Sequence, residues 1–214
     1  MGGTLANVSP SLFDLLGAEG AQALRRLSRR QQFRRREVLF RQGDLGEVVY
    51  LIETGHVLVR GEGALDQPVT MAVLGPGDYF GDIAVLSQDS RRSATVIALD
   101  TCVTHAVPGE RFLELRDRHP AIRRIMTDTL ARTSRRLDER IVDVRHSDAR
   151  GRLLRQLGLL DELFDGPIPF TQEDLADHIG LSRVTVNQLL SALAGEGLVE
   201  LGRGSVRVVR AVPL

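Results

Sequence analysis

The sequence predicts an α+β chain: a β sandwich or barrel over the first half, a long helix in the middle, and a helix-turn-helix with a hairpin wing at the end. Three observations carry this. Short period-two apolar runs fill residues 37–107. Residues 121–146 contain neither Gly nor Pro and repeat apolar or small residues every three or four positions. Residues 170–209 hold two capped helical patterns around a glycine, then two strand patterns around Gly202-Arg203-Gly204.

A chain of 214 residues fits two small domains. With 43% hydrophobic and 26% charged residues it reads as globular. It has no apolar run long enough to span a membrane and no signal-peptide pattern, so the expected location is cytoplasmic. Cys102 is the single cysteine, which excludes an internal disulfide and a four-cysteine iron–sulfur site within one chain. Formal net charge is zero, and all 28 side-chain cations other than histidine are arginines, which present planar forks of donors.

In chain order, Ser9 to Leu27 reads as a helix interrupted at Gly17–Gly20, with Phe13, Leu15, Leu16 and Leu24 as its apolar face. The arginine-dense stretch Arg25–Arg36 reads as a solvated face before the first strand. Strands are expected at Val38–Phe40, Val48–Ile52, Val57–Val59, Val69–Val73, Ala94–Leu99 and Val103–Val107, separated by Gly43-Asp44, Thr54-Gly55, Gly61–Gln67 and Gly75–Asp78. Pro108–His119 reads as a short helix.

After the turn Gly75–Asp78 come Tyr79-Phe80-Gly81-Asp82, a short apolar run Ile83–Leu86, a polar loop, and Arg91-Arg92-Ser93. This order suits an anion. Glycine permits close backbone approach, a helix start offers free N–H groups, and an arginine with a serine can close over a phosphate.

Residues 121–146 form a rod of about 40 Å at 1.5 Å per residue. Its stripe is Ile122, Met126, Leu130, Thr133, Leu137, Ile141 and Val144. Such a stripe packs on its own β domain or on the same helix of a second chain, and the length favours the second.

Leu153-Leu154, Leu157, Leu159-Leu160 and Leu163-Phe164 read as a further amphipathic helix, which Asp165–Pro169 breaks. Thr171 then caps one helix and Ser182 the next, with Gly180 between them. In the second helix Val186, Leu189, Leu190 and Leu193 face inward, while Arg183, Val184, Asn187, Gln188 and Ser191 face outward. Arginine reads guanine, and Asn or Gln reads adenine, through paired hydrogen bonds. Ser182, Thr185, Arg203 and Arg207 suit phosphate contacts, and Thr171 joins them among the expected DNA-binding residues. Residues 148–214 carry seven arginines against nine acids, so this segment is not basic overall.

Phe80-Gly81-Asp82 with Arg92-Ser93 resembles the phosphate-binding cassette of cyclic-nucleotide-binding domains, and Leu181–Leu193 resembles the recognition helix of the Crp/Fnr regulators. The resemblance runs from about Leu12 to about Val209. It implies an N-terminal jelly roll, a dimer helix and a winged helix-turn-helix, over residues 1–120, 121–147 and 148–214. It implies a cyclic nucleotide, cAMP or cGMP, as effector, held by Gly81, Asp82, Arg92 and Ser93. The purine-contacting positions on the dimer helix fall on Leu137 and Asp138. It further implies a homodimer that binds a near-palindromic DNA operator and works with RNA polymerase.

Five positions depart from the family pattern. Asp82 stands for the usual Glu, Leu137-Asp138 for a hydroxyl-bearing pair, and Val184 and Gln188 for an acid and an arginine on the reading face. An effector-independent regulator of the same fold is therefore a rival reading. A jelly roll also suits metal-dependent cupin enzymes, but His56, His105, His119, His146 and His178 are scattered without the His-x-His spacing of such a site. No metal site is expected, and no catalytic residue is assigned.

Overall fold

The computed structural model describes residues 17–62, 68–120, 122–131, 134–135 and 148–210. The chain divides into two compact units, Met1–Arg132 and Thr133–Leu214.

The first unit is built on two four-stranded antiparallel sheets. One has the order β1(Arg29–Phe33), β8(Cys102–Pro108), β3(Val48–Thr54), β6(Tyr79–Phe80); the other β2(Val38–Phe40), β7(Thr95–Ala98), β4(Val57–Glu62), β5(Pro68–Leu74). Alternation along β3 explains why this is a packed body and not a single sheet. Ile52 meets Val57, Phe80, Val96, Ala98 and Cys102 in one cluster between the strands, with Phe33, Phe40 and Tyr50 against it. Val49 and Leu51 point the other way, into a cluster with Leu24, Tyr79, Val107, Phe112, Leu115, Ile122 and Met126. The β8 strand serves both clusters, so Cys102 through Val107 are all buried.

Helices cover the outer face of the β1-β8-β3-β6 sheet. They are α1(Gly17–Leu27), α3(Gly109–Arg118) and α4 (residues 122–131), while the short α2(Asp82–Leu86) follows β6. The described helix begins at Gly17 and runs without a break through Gly20 to Leu27. The stripe on the central rod behaves differently along its length. Ile122 and Met126 are buried in their own unit, whereas Leu130 is 65% exposed. The described part of the rod thus starts as a core helix and exposes its stripe at Leu130. Thr133, Leu137, Ile141 and Val144 lie outside the described residues, as do residues 9–16 of the expected first helix and His146.

Two strands have no sequence signature of the kind sought. β1 reads Arg-Arg-Gln-Gln-Phe, yet it pairs with β8 over five residues, from Arg29 opposite Ala106 to Phe33 opposite Cys102. β6 is two residues long and pairs Tyr50 with Phe80.

The second unit contains α5(Ala149–Leu163), α6(Gln172–Ile179), α7(Arg183–Gly195) and the hairpin β9(Val199–Gly202), β10(Ser205–Val208). Asp148 caps α5 by accepting from the Gly151 N–H at 2.7 Å. Its core draws on every element: Leu153, Leu157, Phe170, Leu175, Ile179, Val186, Leu190, Leu193, Val199 and Val206 are all buried. The recognition-type helix runs through Gly195, so the wing begins only at Val199.

Candidate functional site

The anion-type loop of the first unit is organised around Arg92. Its backbone is fastened to the loop after β2: Arg92 N–H donates to Asp44 O at 2.8 Å, and Gly43 N–H donates to Arg92 O at 2.9 Å. The side chain runs inward and is only 5% exposed. Its Nη1 donates to Gly81 O and to Val48 O, both at 2.9 Å. The guanidinium carbon sits 4.1 Å from the Phe40 ring centre and 5.8 Å from that of Tyr50. Phe40, Tyr50 and Phe80 form an aromatic floor, with Tyr50 and Phe80 stacked at 5.2 Å.

Burial pulls the Arg92 pKa below its ordinary value, and the negative neighbours Asp44 and Asp82 oppose this. A cation so placed is stable only because its donors and its π-face are matched. The side-chain hydrogen bonds all come from Nη1, and Nε is buried without a partner among the described residues. It lies against Gly46, where a side chain would strike the guanidinium, and Gly81 leaves the same clearance on the Nη1 side.

Gly81 holds φ 84°, ψ 1°, a left-handed conformation that glycine adopts without strain. It precedes α2 directly, and Asp82 occupies the first turn. The Asp82 carboxylate accepts from its own N–H and from that of Ile83, but burial outweighs these bonds and raises its pKa above the ordinary carboxylate value. Ser93 is exposed. A cleft beside this loop is lined by Tyr79, Asp82, Ile83, Leu86, Ser87, Met126 and Leu130 and is mainly apolar. Gly81, Asp82 and Arg92 are therefore brought together by the fold, with Ser93 adjoining Arg92. Leu137 and Asp138 lie outside the described residues. The fit to a phosphate is supported by the unmatched Nε and the two side-chain-free flanks.

Sequence reasoning missed Val48 and Phe40 as parts of this site. Nothing in either residue type signals the role, because Val48 contributes a backbone carbonyl and Phe40 a ring face.

The second unit builds a different surface. Thr171 and Asp174 form a reciprocal capping box on α6: Thr171 Oγ1 accepts from the Asp174 N–H at 3.1 Å, and Asp174 accepts from the Thr171 N–H at 2.8 Å. Gly180 ends α6 at φ 66°. Ser182 then caps α7 through the Thr185 N–H at 3.1 Å, and the two hydroxyls lie 2.8 Å apart. Val186, Leu190 and Leu193 anchor α7 from beneath. Arg183, Val184, Asn187 and Gln188 are exposed, Thr185 is half-buried, and Arg203 and Arg207 are exposed on the wing. At the far end, Arg150 grips Glu196 with both guanidinium nitrogens, at 2.9 and 2.6 Å. Recognition-type helix, Thr171 and wing thus border one cleft, with Thr171, Arg183, Leu201, Gly202 and Gly204 in its wall.

His56, His105 and His178 have separate partners. His56 Nδ1 is 2.7 Å from Asp100, His105 lies between Ser28 and Glu53, and His178 Nε2 is 3.0 Å from Gln156. Among the described residues, no group of three or more His, Cys, Asp or Glu side chains could hold a metal ion. Cys102 is buried, with its thiol pushed up to about 12 by burial and by Asp100. No helix of the described residues is long and apolar enough to cross a membrane.

Comparison with known proteins agrees with this two-part layout. The cyclic nucleotide-binding domain profile matches residues 30–119, and that of the Crp-like helix-turn-helix domain matches residues 151–211. The chain is 36% identical over 177 residues to the cyclic AMP receptor protein of Thermus thermophilus, covering 82% of each. It is 27% identical over 184 residues to a CRP-like cAMP-activated global transcriptional regulator of Mycobacterium tuberculosis, covering 82% of each. The crystal structure of the Thermus thermophilus catabolite activator protein superposes with a TM-score of 0.54 at 33% identity, over 95% of each chain. The fold is shared with the c-di-GMP-responsive regulator CLP of Xanthomonas campestris, at a TM-score of 0.71 and 20% identity, over 87% of this chain and 96% of that one. With a cyclic-nucleotide-type unit, a winged helix-turn-helix and this degree of identity to a receptor-type regulator, the chain belongs to the Crp/Fnr family of DNA-binding transcription regulators.

Proposed function

We propose that this protein is a homodimeric, sequence-specific regulator of transcription, with an effector domain at 1–120, a dimerisation helix and hinge at 121–147, and a DNA-binding domain at 148–214. The observation that carries the reading is α7: a helix capped by Ser182, anchored by Val186, Leu190 and Leu193, and exposing Arg183, Val184, Asn187 and Gln188 together. Arg183, Asn187 and Gln188 carry the paired donors and acceptors that read base edges. Thr171, Ser182, Thr185, Arg203 and Arg207 hold phosphates on either side. Two copies related by a two-fold axis read a near-palindromic site with half-sites about one helical turn apart. Dimerisation runs along the rod beyond Leu130, where the stripe leaves its own core. RNA polymerase is the partner through which binding becomes regulation.

Selection of bound sequences from random DNA tests this. The expected result is a two-fold symmetric motif. A purified protein that stays monomeric and enriches no sequence overturns it.

In the effector domain, Gly81, Asp82, Arg92 and Ser93 hold the cyclic phosphate and ribose of a cyclic nucleotide, cAMP or cGMP, with Leu137 and Asp138 near the base. A second reading, regulation without an effector, is favoured by one observation. Arg92 Nη1 is already bonded to Gly81 O and Val48 O, and the guanidinium already lies on Phe40. A phosphate must compete with those contacts. Titration calorimetry with cAMP and cGMP separates the two readings. Micromolar binding that disappears in Arg92→Ala supports the first, and DNA binding of nucleotide-free protein without any heat on titration supports the second.

A further inference from the structure

The exposed face of α7 carries one side chain whose chemistry the polar readout does not use. Val184 is 67% exposed. It occupies the second position of the helix, on the side opposite Val186, Leu190 and Leu193, and one turn before Gln188. Burial inside its own unit therefore does not account for it.

The residue is also held rigidly. Ser182 fixes the first turn through the Thr185 N–H and hydroxyl. A valine inside a helix keeps mainly one rotamer, so its two methyl groups stand at a set position. A rigid apolar side chain flanked by Arg183, Asn187 and Gln188 has one strong match in the major groove. Of the four bases only thymine shows a methyl group there, and apolar side chains recognise it by contact. Valine offers no acceptor for the cytosine amino group, which an acidic residue at the same place would take.

We propose that Val184 is a specificity-determining residue that reads a thymine methyl group in each half-site. This rests on the DNA-reading assignment of α7 made above. The contact excludes water from the methyl, so its removal acts as the loss of one buried methyl-sized group. It lowers affinity about fourfold per half-site and about fifteenfold for both half-sites of a symmetric operator.

The test uses the full-length protein and the operator obtained by selection. Each thymine is replaced in turn by deoxyuridine, which lacks only the C5 methyl, and binding is measured by fluorescence anisotropy at fixed salt. One thymine per half-site is expected to show the fourfold loss with wild-type protein and none with Val184→Ala. Val184→Thr, which keeps one methyl, retains part of the sensitivity. Val184→Glu moves the preference at that base pair from thymine towards cytosine. These are surface substitutions, and the circular dichroism spectrum of each variant checks the fold.

If every thymine tolerates deoxyuridine in the wild-type complex, or if Val184→Ala keeps the full sensitivity, the proposal is overturned. The Arg183→Ala variant separates that failure from failure of the wider reading. If it still relaxes preference at one base pair, α7 remains the reading helix and only the Val184 role is lost. If it changes nothing either, the reading face itself is wrong and the proposal goes with it.

Discussion

Arg92 and Arg183 are the same side chain put to opposite uses. Arg92 is 5% exposed, bonded to two carbonyls and laid on an aromatic ring. Arg183 is exposed at the start of a helix and has no hydrogen bond or ion pair among the described residues. One guanidinium is part of the interior of its unit, and the other is a free fork. The difference shows that an arginine in a ligand-type motif is available only to the extent that its surroundings leave donors over. Around Arg92 they leave a buried Nε and the two Nη2 hydrogens, with Nη1 already taken. Around Arg183 they leave all five.

The sharpest way to break this contrast is to truncate both. Arg92→Ala leaves the part-buried carbonyls of Val48 and Gly81 without their donor and opens a void beside Phe40, so the N-terminal unit should lose about 3 kcal/mol of stability, from the unmatched polar groups plus the lost ring contact. Urea unfolding followed by tyrosine fluorescence measures it, and an unchanged midpoint would place Arg92 among the free arginines.

Arg183→Ala should leave that midpoint alone. It should instead weaken specific DNA binding by about 2 kcal/mol, roughly thirtyfold, as expected for one lost base-reading pair. Competition against random DNA measures the specific part. Ser182→Ala removes the cap beneath Arg183 and should cost about 1 kcal/mol in the C-terminal unit, read from its thermal transition.

The smallest effect concerns Asp82, beside Arg92. Burial raises its folded pKa above the ordinary 3.8, so the folded state holds its proton to higher pH than the unfolded chain does. The contribution of Asp82 to stability is complete below 3.8 and is lost as pH rises through the raised value. Asp82→Asn should therefore be slightly more stable than wild type at pH 7, and the gain should fade as pH is lowered towards 4. Paired melting curves at the two pH values check both the sign and the fading.

The two regions also differ in how far the sequence discloses them. The reading face is local: Thr171, Gly180, Ser182 and the spacing Val186, Leu190, Leu193 lie within 23 residues, and caps and periodicity follow local rules. Arg92 and Gly81 could be named as a pair by the same kind of motif. Their surroundings could not, because Phe40 and Val48 reach Arg92 across more than 40 residues and act through a ring face and a backbone oxygen. The stripe Ile122, Met126, Leu130 illustrates a third limit. Period alone does not say which partner covers it, and the structure assigns its first two residues to their own core. β1 was hidden for a related reason. Its pairing with β8 uses the backbone of Arg29–Phe33, which no side-chain pattern reports.

That strand has a bearing on solubility. Among the described residues β1 ends its sheet, so one rim of its backbone has no neighbouring strand there. Arg29 and Arg30 stand exposed along it, Arg30 paired with Glu53 at 2.8 Å, so a like rim from a neighbouring molecule would bring the two Arg29 charges together. Charge repulsion of this kind guards an open sheet margin against edge-to-edge aggregation.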